Sequence, residues 1–156
     1  MKLPTSTIFL CLGLLALSLL GARQARATLG EGTDSIVRDK KALSAVKRAT
    51  TSFAKYSVQE IASDATAVRE FITPSGVVFA VAWNGLVHPD LSTLLGSYAD
   101  EYKSAKRQLP RQHGKRRSRV QSDRMVVETW GHMGNLQGRA YLPALVPDGV
   151  KTDEIH

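Results

Sequence analysis

The chain has 156 residues, a formal net charge of +7 and a single cysteine, Cys11. A chain of this length can bury a core of its own as one domain, and one cysteine cannot form an intramolecular disulfide. The composition therefore excludes a multidomain protein and a small disulfide-stabilised scaffold.

The first 27 residues have the three parts of a secretory signal peptide. Met1–Pro4 carries one positive charge, Ile8–Leu20 is an uncharged apolar run, and Ala25–Ala27 supplies the small residues that signal peptidase requires. The apolar run is shorter than the about 20 residues of a spanning helix, although an uncleaved membrane anchor remains the alternative. The pattern predicts export through the general secretory route, to the periplasm or beyond. It predicts cleavage after Ala27 and a single small domain at residues 28–156, with no stable transmembrane segment.

The beginning of this mature domain contains a candidate helix over residues 35–46. Thr33 or Asp34 is its candidate N-cap, and Ile36 and Leu43 belong to a partial apolar stripe. The spacing predicts a small N-terminal helix.

Three strand-like segments follow, at Tyr56–Ala62, Val68–Thr73 and Val77–Trp83. The first two alternate imperfectly between apolar and polar residues, as partly exposed strands do. The third is a continuous apolar run, which predicts a central buried strand. Because Thr73–Gly76 has proline and glycine where a tight turn requires them, we expect an antiparallel meander.

The strongest helical pattern follows Pro89. Asp90 is the predicted N-cap, and Gly96 is a weak point that costs about 1 kcal/mol relative to alanine. Apolar side chains recur at helical spacing along one face. They are Leu91, Leu94, Leu95, Tyr98, Ala99, Tyr102 and Ala105. This pattern predicts a long amphipathic helix that covers one face of the sheet.

Residues 106–119 carry seven basic side chains and no acidic one. They are Lys106, Arg107, Arg111, Lys115, Arg116, Arg117 and Arg119. Pro110 and Gly114 interrupt regular structure, so an exposed loop is expected. The loop would suit an anionic partner, such as lipid headgroups at a membrane surface or an acidic protein, or would simply be a solvated segment. No aromatic residue is interleaved with the basic ones, which argues against nucleic acid as a partner.

Two further strands are predicted at Met125–Trp130 and Leu136–Leu142, joined by the glycine-bounded turn Gly131–Asn135. The expected fold is therefore α+β. It consists of an antiparallel sheet of about five strands, covered on one face by the long helix, with the smaller helix at the N-terminus.

Several short motifs, in this order along the mature chain, resemble a family of exported bacterial proteins catalogued as domain of unknown function 2844. They are Leu29–Gly32, Thr73–Trp83, His88–Leu91, Leu95–Tyr98, Gly131–Met133 and Gly138–Pro143. The resemblance implies a bacterial envelope or secreted protein, and it implies no activity, cofactor or catalytic residue. The basic stretch at residues 106–119 is not part of that pattern.

The candidate chemistry of the chain is sparse. His88, His113, His132 and His156 lie far apart without the close ligand pairs of zinc sites, so neither a metal site nor a cofactor is predicted. Ser75 lacks the preceding glycine of a nucleophile elbow. Since no nucleophile, base and orienting group occur together, the sequence favours a non-enzymatic protein.

One group of residues is a candidate binding site because its members fall at strand ends and in adjoining turns. They are Trp83, Asn84, His88, Trp130 and His132. Large aromatic side chains near loops are favoured binding anchors, although both tryptophans could instead belong to the core. The leading hypothesis is an envelope protein that binds another exported protein or an envelope component. The alternatives are a small hydrolase or ligand-binding enzyme that uses this group, and attachment to an anionic membrane through the basic loop.

Overall fold

A seven-stranded antiparallel sheet dominates the computed structural model, which describes residues 29–32, 46–110 and 116–156. The strands are β1 (Val46–Ser52), β2 (Ser57–Ala62), β3 (Thr66–Ile72), β4 (Val78–Gly85), β5 (Arg117–Gln121), β6 (Val126–His132) and β7 (Asn135–Tyr141). Their order across the sheet is β1-β2-β3-β4-β7-β6-β5. The first four strands therefore form one meander, and the last three join it through the pairing of β7 with β4.

The predicted sheet of about five strands was wrong, because β1 and β5 were missed. Neither edge strand has the apolar alternation or the continuous apolar run that indicated the other strands: β1 reads VKRATTS and β5 reads RSRVQ. The predicted N-terminal helix over residues 35–46 lies outside the described residues except for Val46, and Val46 begins β1. That helix therefore has no support as an element of the fold.

The helical segment at residues 91–108 is not one regular helix. It consists of α1 (Leu91–Leu95), a 3-10 turn (Gly96–Tyr98) and α2 (Ala99–Gln108). Gly96 has a φ of 51°, a left-handed conformation that glycine adopts without strain, so it separates the two helices. The predicted N-cap is confirmed, since a carboxylate oxygen of Asp90 accepts a hydrogen bond from the backbone amide of Ser92 at 2.9 Å.

The predicted strand interiors and turns are confirmed where apolar and turn signals were strong. The segment Val78–Trp83 of β4 is buried throughout, and β2, β3 and β4 form the expected meander. The amide of Gly76 donates to the carbonyl of Thr73 at 2.9 Å and closes the predicted turn. β6 and β7 form the predicted hairpin, but its turn is shorter than the predicted Gly131–Asn135, because His132 already pairs with Asn135.

The helices pack against one face of the sheet, which we call the helix face. Its core includes Leu94, Leu95 and Tyr102 from the helices together with Val81 and Trp83 from β4. This packing buries the apolar stripe of the helical segment, which is the main source of its stability.

The opposite face, which we call the groove face, is covered in part by the C-terminal segment at residues 143–156. A β-bulge lies where the β3–β4 register shifts opposite Phe71, so Phe79 joins Ala80 in the core of this face. Ile155 from the C-terminal segment is fully buried in the same core. The rest of the groove face is lined by charged and aromatic side chains.

Candidate binding groove on the sheet

A row of charged residues, interrupted at one position by an alanine, crosses the groove face because residues on six neighbouring strands pair in one register. From β5 to β2 the row contains Arg119, Glu128, Arg139, Ala82, Arg69 and Glu60. Glu128 accepts from Arg139 at 2.6 Å and lies 3.3 Å from Arg119, while Arg69 donates to Glu60 at 3.1 Å. Charges of opposite sign that face each other on neighbouring strands attract each other, so these ion pairs fix the direction of the side chains.

A second row lies beside the first and contains an aromatic side chain. Arg117, Trp130, Gln137 and Asn84 are successive cross-strand partners on β5, β6, β7 and β4. The indole of Trp130 donates to the side-chain carbonyl of Gln137 at 3.0 Å. The guanidinium of Arg139 lies 5.7 Å from the centre of the Trp130 ring, within the range of a cation–π contact. The indole is thus held from two sides.

The C-terminal segment is bound to these rows by Arg139. Its guanidinium donates to the carbonyl of Thr152 and lies 4.0 Å from the carboxylate of Asp153. Only 16% of the Arg139 side chain is exposed. Arg139 therefore joins three parts of the molecule: the charged row, the Trp130 ring and the C-terminal segment.

The described residues form an arginine groove and an aromatic groove on the groove face, and His156 lines both. The arginine groove has a volume of about 670 Å³, and its lining includes Arg117, Arg119, Glu128, Trp130, Arg139 and Asp153. The aromatic groove has a volume of about 560 Å³, and its lining includes Phe53, Tyr56, Val58 and Phe71. The arginine groove combines an aromatic ring with several charged groups, which is the composition of a polar binding site.

The charged side chains that line the arginine groove do not all form ion pairs with one another. Glu128 faces two guanidinium groups, those of Arg119 and Arg139. Within residues 29–32, 46–110 and 116–156, Arg117 forms no ion pair, and its side chain is exposed. The guanidinium of Arg117 is therefore the group in this groove that is best placed to form an ion pair with an anionic ligand.

The predicted tryptophan and histidine residues are divided between the two faces. Trp83 packs in the core of the helix face, and its indole donates to Nδ1 of His88 at 3.0 Å. Trp130 and Asn84 lie on the groove face. His132 lies at the exposed tip of the β6–β7 hairpin, with Nδ1 3.0 Å from the carbonyl of Met133. The structure brings together Trp83 with His88, and separately Trp130 with Asn84 across Gln137.

The lowered pKa of His88 makes stability sensitive to acid. Partial burial of the His88 ring, which keeps some exposed surface, is the larger cause that lowers the pKa of His88 below its ordinary value of 6.5, and the nearby ammonium of Lys106 also lowers this pKa. The unfolded chain therefore takes up the proton first. The contribution of neutral His88 is fully present above pH 6.5 and is lost as the pH falls through the lower folded-state pKa.

We expect the free energy of unfolding to fall between pH 7.5 and pH 5.5, and to fall less in His88→Gln, which cannot titrate. Urea denaturation of both proteins at the two pH values measures the difference. Equal losses of stability in the wild type and in His88→Gln would contradict the role assigned to His88.

The basic stretch predicted as a loop is divided among several elements. Lys106 and Arg107 lie in the last turn of α2, where positive charge is favourable, and Arg117 and Arg119 lie in β5. Arg116 directly precedes β5 and is exposed. Arg111, His113 and Lys115 lie outside the described residues. The structure therefore assigns two of the seven basic residues, Arg117 and Arg119, to the arginine groove.

Sequence reasoning missed the four charged residues Glu60, Arg69, Glu128 and Arg139. A local signal exists, because Glu128 and Trp130 are two residues apart on β6, as are Gln137 and Arg139 on β7. Such spacing places each pair on one face of its strand. It does not show which strands are neighbours.

The described part of the chain contains no group of three or more histidine, cysteine, aspartate or glutamate side chains arranged to hold a metal ion. No helix in these same ranges is long and apolar enough to cross a membrane. The family model described as "Protein of unknown function (DUF2844)" matches residues 25–155. No curated protein and no solved structure matches the chain.

Proposed function

The chain belongs to the DUF2844 family of proteins of unknown function, and we propose that it is an exported, non-enzymatic binding protein. Its ligand would be another exported protein or an envelope component, bound in the arginine groove. The proposal of export rests on the signal pattern of residues 1–27, which lie outside the described residues.

The observation that carries this proposal is the preorganised pair of Arg139 and Trp130. Arg139 is held by Glu128 and the carbonyl of Thr152, and Trp130 is held by Gln137. Side chains that are already fixed lose little conformational entropy when a ligand binds. Tryptophan and arginine are also the residue types most enriched among the energetic anchors of protein interfaces.

The contacts of the histidines favour binding over hydrolysis. A hydrolase would need His88 or His132 beside a serine, aspartate or glutamate that it could activate or that could orient it. His88 instead accepts a hydrogen bond from Trp83, and the His132 ring contacts the backbone carbonyl of Met133.

Capture of partners from crosslinked cell envelopes tests the proposed function. The full chain would be expressed with an affinity tag directly after Thr28, so that the C-terminal segment beside the groove remains native. We expect Trp130→Ala to lower recovery of the bound partner about thirtyfold, since truncation of an aromatic hot-spot residue costs about 2 kcal/mol.

Phe53→Ala is the matched control, because Phe53 is an exposed aromatic residue of the aromatic groove. It should leave recovery unchanged, and circular dichroism should show that both variants are folded. Recovery of the same partner in equal amounts from the wild type and Trp130→Ala would overturn the assignment of binding to the arginine groove.

A further inference from the structure

The strand β5 forms one edge of the sheet, directly beside the arginine groove. It pairs with β6 on one side, and no strand of the described residues lies beyond it. Val120 is buried and holds β5 against the core, whereas its other four residues are exposed. An exposed edge presents backbone amide and carbonyl groups on which an additional strand can form.

The side chains of β5 define the charge of a strand that would fit this edge. Arg117 and Arg119 are two residues apart and both lie on the groove face, opposite Trp130 and Glu128. A strand added outside β5 would place every second side chain next to these guanidinium groups. Acidic residues at those positions would be favoured, and Arg117 has no competing ion pair in the described part of the chain.

A second copy of this chain fits the edge poorly. Pairing of β5 with its own copy would place guanidinium groups next to one another, and like charges directly opposed are destabilising. The other edge strand, β1, has the sequence VKRATTS, which contains no acidic residue. Charge complementarity therefore points to a different protein.

We infer that the outer edge of β5 binds an acidic, extended segment of a partner protein, which adds to the sheet as an eighth strand. This inference rests on the proposed function and gives it a chemical class of partner. Backbone hydrogen bonds to β5 supply affinity, and carboxylates next to Arg117 and Arg119 supply selectivity.

The test uses processed protein purified from cells that express the full chain. The probe is a fluorescent synthetic peptide in which glutamate alternates with threonine, and fluorescence anisotropy measures its affinity. We expect binding that is at least about tenfold weaker for Arg117→Glu and is retained in Arg117→Lys. A peptide with lysine in place of glutamate should not bind, and methylation of alternate backbone nitrogens should abolish binding because it removes the donors of the added strand.

The matched control is Arg107→Glu, which makes the same change of charge at an exposed position of α2. Equal weakening by Arg107→Glu and Arg117→Glu would overturn the inference in favour of diffuse charge attraction. Undiminished binding of the methylated peptide, or absence of acidic-peptide binding to the wild type, would also overturn it. If any of these contradicting results occurs while Trp130→Ala still loses its partner in envelope capture, the inference of an added strand at β5 fails, but the proposed binding in the arginine groove is still supported. If Trp130→Ala also keeps its partner, both fail.

Discussion

Gly138→Ala is expected to destabilise the domain by about 3 kcal/mol, because the added methyl group has no space. A Cβ at this position would lie 2.6 Å from Cε2 of Trp83 and 2.8 Å from the carbonyl oxygen of Glu128. Trp83 is only 3% exposed and donates to His88, so its ring cannot move aside at low cost. Urea unfolding followed by circular dichroism measures the loss.

Gly32→Ala is the control for this change. At Gly32 the nearest atom to an added Cβ is the carbonyl oxygen of Gly76 at 3.9 Å, an ordinary contact. Its effect should stay within about 0.5 kcal/mol, as for most exposed substitutions. If the two variants unfold at the same urea concentration, the close approach of Trp83 to β7 does not exclude a side chain larger than that of glycine at position 138.

Phe79→Ala should cost about 3–5 kcal/mol, the usual range for removing a fully buried phenylalanine. Phe79 has no exposed surface, and its ring lies 6.2 Å from that of Phe71 and 6.1 Å from that of Tyr56, both in edge-on orientations. It also shares its core with Ile155. Its loss leaves a cavity beneath the C-terminal segment, and chemical denaturation of the purified protein measures the cost.

Phe53→Ala makes the same chemical change at a side chain that is 52% exposed. Phe53 stacks on Tyr56 with ring centres 4.8 Å apart, so its removal should cost under about 1 kcal/mol. A loss of stability for Phe79→Ala no larger than that for Phe53→Ala would contradict the placement of Phe79 in the bulged strand.

Strands with a high content of apolar residues could be predicted from the sequence, and strands with a low content could not. The strand β4 and the hairpin of β6 and β7 carry apolar runs and turn residues, and these local signals predicted their positions. The edge strands β1 and β5 are held by backbone pairing with a neighbour on one side, so their own sequences need little apolar character. Gly96 could be recognised as a weak point, but only its φ of 51° shows that it interrupts the helix.

The candidate site was harder to predict, because it depends on contacts between residues distant in sequence. Trp130 and Asn84 were recognised as strand-end residues, whereas Arg139 was missed, because its spacing from Gln137 does not show which strands are its neighbours. Its importance follows from the register that aligns it with Glu128 on one side and Ala82 on the other, and from its bond to Thr152. A register between strands is set by the assembled sheet, so the sequence alone did not separate Trp83 from Trp130.

Photo-crosslinking inside the cell tests most directly whether the arginine groove is the binding surface. A benzoylphenylalanine would replace Asp153, which lines the groove, and in a second strain Lys103, an exposed residue of α2. We predict a discrete crosslinked product from position 153 that Trp130→Ala removes, and no such product from position 103. The same product from both positions, or a product from position 153 that persists in Trp130→Ala, would contradict the account.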